Sequence, residues 1–116
     1  MKLFKRRIAA VLAAVACVTP TYAGAQAPDI SVSAKVVFLE ATYMPGQVAL
    51  SINAPLGACP AGTLLRYFGQ GPDATTKAQN AEAVFSMLLT AKISNQNVIL
   101  TGYSSDCAAV RFVSMN

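Results

Sequence analysis

Cys59-Pro-Ala-Gly-Thr-Leu-Leu-Arg-Tyr-Phe-Gly69, then Asn80-Ala-Glu-Ala-Val-Phe-Ser-Met-Leu-Leu-Thr-Ala-Lys-Ile-Ser-Asn95, then Asn97-Val-Ile-Leu-Thr-Gly-Tyr103 and finally Cys107 decide the fold. The middle piece reads as a helix. Ala81, Val84, Phe85, Leu88 and Ala91 recur at helical spacing, Met87 and Leu89 widen the apolar face, and Glu82, Ser86 and Thr90 fall opposite. Asn80 is the expected N-cap, with Glu82 in the first turn where the helix dipole favours an anion. Lys92 lies in the last turn, and Asn95 is the expected left-handed stop. Thr63–Phe68 before the helix and Asn97–Tyr103 after it read as strands.

Working outward, Ser104-Ser-Asp106 is a turn, and Ala108–Val113 is a last strand. Gly69–Lys77, rich in glycine and proline at its start, reads as a loop leading to the helix. Upstream, Ile30–Tyr43 alternates, with Ile30, Val32, Ala34, Val36 and Phe38 on one face and Ser31, Ser33 and Lys35 on the other. From Val36 to Leu39 both faces are apolar, so the chain there is covered on both sides or bent. Met44-Pro-Gly-Gln47 reads as a turn with proline at i+1 and a positive-φ glycine at i+2. It leads into a short strand, Val48–Ile52, paired with the first as an antiparallel hairpin. The order β-β-β-α-β-β predicts a β-rich α+β fold: a small five-stranded barrel with one helix before strand four, the element order of an oligonucleotide/oligosaccharide-binding (OB) barrel.

The N-terminus changes how composition is read. Lys2, Lys5, Arg6 and Arg7 precede a short apolar run, Ile8–Val18, and Ala23-Gly-Ala25 fits a signal-peptidase site. Residues 1–25 are therefore expected to be a cleaved leader, leaving 26–116 as one domain. A lipoprotein leader using Cys17 and a retained anchor are the alternatives. The formal charge of +4 lies in the leader, because Lys35, Arg66, Lys77, Lys92 and Arg111 balance Asp29, Glu40, Asp73, Glu82 and Asp106. A neutral mature chain lacks the electrostatic basis for nucleic-acid binding. No membrane span is expected after the leader, and the compartment is exported, periplasmic or secreted. In that setting Cys59 and Cys107, the two cysteines left, are expected to pair. The loop they would close is long enough for a chain-entropy gain of about 4 kcal/mol. Two buried, reduced thiols are the alternative.

The chain has no histidine, which removes Ser-His and Cys-His pairs and His-based metal sites. The five carboxylates after the leader are scattered, and Gly69-Gln-Gly71-Pro72 lacks the Gly-Lys-Ser/Thr ending of a phosphate loop. No enzyme, cofactor or metal is expected. Candidate ligand-binding residues are Tyr43, Arg66, Tyr67 and Tyr103, since tyrosines at strand ends stack on sugar faces; they can equally fill a barrel mouth.

The pattern from Cys59 to Cys107 resembles a group of small exported bacterial proteins related to the B subunits of subtilase-cytotoxin-like and pertussis-like toxins. The resemblance covers nearly all of the mature chain in element order, and individual residues only between those cysteines. It implies an OB fold, export, one disulfide and, in the toxin members, a pentameric ring that binds sialylated glycans. The toxins' sugar-binding residues do not transfer, because Ile30–Tyr43 does not align residue by residue, and this chain has no tryptophan. The expected function is a non-catalytic recognition module, glycan-binding and self-associating. The alternative is a monomeric exported protein that binds or inhibits another protein.

Overall fold

In the computed structural model, which describes residues 29–115, six elements follow in order. They are β1 (Ile30–Glu40), β2 (Gln47–Ile52), β3 (Leu65–Phe68), α1 (Ala74–Ser94), β4 (Asn97–Tyr103) and β5 (Asp106–Met115). The strands close into a barrel in the order β1-β2-β3-β5-β4. Every neighbouring pair is antiparallel except β3 with β5, which run parallel. This is the expected β-β-β-α-β-β barrel of OB type. Closure pairs each strand on both sides over part of its length, which shortens the sheet edges open to another chain. The leader, residues 1–25, lies outside the described residues.

The core is the inside of the barrel plus one stripe of α1. Leu50, Ile52, Leu65, Val98 and Leu100 point inward from three strands and meet Leu88 of the helix. Each such side chain contributes about 2 kcal/mol by leaving water. The helix touches all five strands, as an element capping one end of a barrel must. Its stripe of Ala81, Val84, Leu88 and Ala91 is buried, and the two alanines let the helix backbone come close.

α1 starts two turns earlier than the sequence predicts. Asp73 is the N-cap, accepting from the Thr76 backbone N–H at 2.7 Å, so residues 74–77 are helix rather than loop. Glu82 then sits mid-helix, and the anion at the positive end is Asp73 itself. Asn80 is freed for another task, described below. Lys92 does occupy the last turn, and Asn95 does cap in the left-handed region at φ 56°, ψ 36°. Leu89 does not widen the buried face; it is exposed, as is Ile93.

β1 departs from plain alternation at a bulge between Val36 and Phe38. Val36 is buried, Phe38 turns outward, and Leu39 takes over the inward place opposite Leu50. The chain is thus bent where both faces are apolar, and Phe38 leaves the face on which alternation puts it. β1 stops at Glu40, and residues 42–46 form the turn. The Met44–Pro45 bond is cis, and Gly46 does not take positive φ, so the expected proline-i+1, glycine-i+2 turn is not formed. The hairpin pairing of β1 with β2 is as expected. β3 starts at Leu65 rather than Thr63, and β5 is longer at both ends than Ala108–Val113.

Cys59 and Cys107 are bonded, with Cα atoms 5.4 Å apart. The bond ties the loop before β3 to the first turn of chain in β5, across the parallel pair. Asp29 closes the barrel nearby. Its N–H donates to the Gly102 carbonyl at 3.0 Å, and its carboxylate accepts from both the backbone N–H and the hydroxyl of Ser104. Those bonds hold the Asp29 carboxyl below the usual carboxylate range, the Ser104 hydroxyl contributing most.

Candidate functional site

β3 alternates cleanly. Leu65 and Tyr67 point into the core, while Arg66 and Phe68 point out. Arg66 stands between two alanines on the outer face, Ala49 of β2 and Ala109 of β5, its partners in register. Small neighbours leave room for a long side chain to lie down rather than stand up. The β1–β2 turn brings Tyr43 beneath it, with the guanidinium carbon 5.7 Å from the ring centroid. Ala49 is fully buried, though it sits on the outward-facing register opposite Arg66, as β2 is covered on both faces from Val48 to Ile52. A cation over an aromatic face gains about 0.5–1 kcal/mol at such a site. Arg66 donates no hydrogen bond to any described residue, which leaves its N–H groups unpaired among them.

Beside Arg66, a groove of about 430 Å³ opens between β3 and β5. Leu64, Arg66 and Phe68 line one wall, and Asp106, Ala108 and Ala109 line the other. Phe68 is half-exposed, so the groove offers an apolar platform as well as charge. Asp106 Oδ1 accepts from the Ala108 backbone N–H at 3.3 Å, and Cys107 between them is anchored by the disulfide. Further aromatic and aliphatic side chains, Val37, Phe38 and Phe112, are about half-exposed elsewhere on the barrel.

The four residues picked from the sequence part company. Tyr43 and Arg66 come together. Tyr67 goes inside at 4 % exposure, and its hydroxyl donates to Asn80 Oδ1 at 2.7 Å. Burial raises the Tyr67 phenol above its usual value, and the Asn80 bond offsets part of that. The same Asn80 oxygen accepts the Gln70 backbone N–H at 2.9 Å, so Asn80 clamps β3 and its exit loop to α1. Tyr103 ends β4, pairs with Asp106 across the turn, and is half-buried rather than part of the groove wall. Leu64, Phe68, Asp106, Ala108 and Ala109 were not singled out from the sequence. Alternation along Leu64–Phe68 carries a signal for the first two, since both share the face of Arg66. Asp106 carries none, because only the parallel pairing of β3 with β5 brings it across.

Among the described residues, no group of three or more His, Cys, Asp or Glu gathers to hold a metal, and no helix is long and apolar enough to cross a membrane. Fold and site together define the class: a small disulfide-bonded barrel of OB type with a shallow mixed groove on its outer face. The chain matches no family model, no curated protein and no solved structure at a significant level.

Proposed function

We propose that this protein is a non-catalytic, exported recognition module that binds glycans through the outer face of β3 and β5 and self-associates as a ring. The observation that carries the reading is the Arg66 guanidinium, lying over Tyr43 and unpaired among the described residues, beside the half-exposed Phe68. Shallow sites that pair an aromatic platform with oriented donors suit sugars, whose rings have an apolar face and a polar rim. Export is supported by the leader pattern and by the disulfide, which persists in oxidising compartments. The ring is supported by the toxin B-subunit resemblance and by exposed apolar side chains on two separate faces: Leu89 and Ile93 on the helix, and Val37, Phe38 and Phe112 on the barrel. A ring needs two different patches on each subunit.

The second reading is a monomer that binds or inhibits another protein, and the half-exposed phenylalanines on the barrel favour it. Light scattering on the oxidised protein at micromolar concentration separates the two. A pentamer together with binding on a glycan array that Arg66→Ala abolishes supports the first reading. A monomer that ignores the array removes it in favour of the second.

A further inference from the structure

The groove holds one cation and one anion that do not meet. Arg66 is in register with Ala109, and Asp106 lies three residues earlier on β5, about 10 Å along the strand. No ion pair joins them, and each is held in place separately. Arg66 rests on Tyr43. Asp106 is fixed by its own bond to the Ala108 N–H, by pairing with Tyr103 and by the neighbouring disulfide. Asp106 Oδ2 has no hydrogen-bond partner among the described residues. Ala108 and Ala109 line the same wall and put little bulk between the two charges.

We propose that Asp106 is the second polar anchor of this groove, opposite Arg66, and that together they set which ligands fit. The inference rests on the recognition-module reading. A guanidinium only donates hydrogen bonds, and an ionised carboxylate only accepts them. The ligand must therefore offer an acceptor at one end and a donor at the other, with an apolar surface between them for Leu64, while Phe68 flanks Arg66 on the side away from Asp106. A carbohydrate does this with ring and hydroxyl oxygens, its hydroxyls donating to Asp106. A free amino acid or peptide terminus presents the same chemistry with a carboxylate for Arg66 and an ammonium for Asp106. The glycan reading selects the carbohydrate. The volume of about 430 Å³ falls at the lower end of small-ligand sites, suiting one or two sugar rings.

The test uses the oxidised protein as recovered after export, labelled with ¹⁵N, and follows backbone amide shifts. The probes are galactose, glucose, mannose and N-acetylneuraminic acid, with leucine as the zwitterion. The variant is Asp106→Asn, which keeps an oxygen for the Ala108 N–H and turns the free acceptor into a donor. The expected result is that a sugar shifts the amides of residues 64–68 and 106–109, and that Asp106→Asn weakens this by about tenfold or more while the remaining spectrum is unchanged. If Asp106→Asn itself disturbs the spectrum, Asp106→Ser, which removes the carboxylate and keeps a side-chain oxygen, serves in its place, with the same loss expected. A response to leucine alone, lost in Asp106→Asn, supports Asp106 as an anchor and overturns the glycan reading. Sugar binding that Asp106→Asn leaves intact overturns the role of Asp106 and spares the recognition reading. No shift at either segment with any probe overturns both.

Discussion

Asn80→Ala tests how the barrel is fastened to its helix. Asn80 Oδ1 accepts from the Tyr67 hydroxyl at 2.7 Å and from the Gln70 N–H at 2.9 Å. Alanine leaves both donors without a protein partner. The Tyr67 hydroxyl is attached to a buried ring and has little access to water, so its loss should cost about 2 kcal/mol. The Gln70 N–H lies nearer solvent and should cost about 1 kcal/mol. A total of about 3 kcal/mol lowers the Tm of a domain this size by about 12–24 °C. The assay is thermal and urea unfolding followed by circular dichroism, on the single variants Asn80→Ala and Tyr67→Phe and on the double variant. Because Tyr67→Phe removes the stranded hydroxyl, the two changes should couple by about 1–2 kcal/mol in the double-mutant cycle. If Asn80 were instead an N-cap, as its sequence context reads, alanine would cost about 1 kcal/mol with no coupling to Tyr67. A cost below about 0.5 kcal/mol, or additive single variants, would refute the clamp.

Reducing Cys59–Cys107, which closes a loop with a sequence separation of 48, should cost about 4 kcal/mol and lower Tm by about 15–30 °C in dithiothreitol; an unchanged Tm would show that the bond does not restrict the unfolded chain. Gly69→Ala should destabilise by about 1–3 kcal/mol, because its Cβ would land on the Lys77 carbonyl and 3.3 Å from the Ala81 Cβ, and urea unfolding would expose any tolerance of it. Acid stability should depend on Asp29 and Asp73. Hydrogen bonds from Ser104 and Thr76 hold both carboxyls below their ordinary value of 3.8, so their contribution is present above that pH and is lost as pH falls through the lower folded values. Asp29→Asn with Asp73→Asn should flatten the acid limb of Tm against pH, and an unaltered limb would count against both bonds. Leu88→Ala, in a fully buried site, should cost about 2–5 kcal/mol, whereas Ser86→Ala on the exposed side of α1 should change Tm little.

Local pattern carried the element order well. Alternation in Asn97–Tyr103 and the periodicity of Ala81, Val84, Leu88 and Ala91 are short-range signals, and the strand and the buried helix stripe follow them. The left-handed Asn95 was legible because a C-terminal stop is a property of one residue and its neighbours. The helix start was not legible in the same way. Asp73 and Asn80 are both good caps, and the contest was settled by Tyr67, thirteen residues upstream of Asn80, whose buried hydroxyl needed an acceptor. The bulge at Val36–Phe38 was visible only as a place where alternation fails; which residue turned outward depended on the register with β2. Half of the candidate site was readable for a similar reason. Arg66 lies on a strand whose alternation exposes it, but Tyr43 meets it only through the β1–β2 turn.

The sequence by itself determined the buried stripe of the helix, the strand and helix order, the neutrality of the chain after its basic start, and the absence of any histidine for catalysis or metal binding. These are sums over residues or patterns within a dozen positions, and they need no knowledge of distant neighbours. Only the tertiary structure decided that Tyr67 is a core residue, that Arg66 lies over Tyr43, and that Asp106 faces the same groove. Each of those facts depends on the closure of the barrel through the parallel pairing of β3 with β5, which joins segments about forty residues apart. Such pairing is fixed by burying every strand's inner face at once, so no local stretch of the chain specifies it.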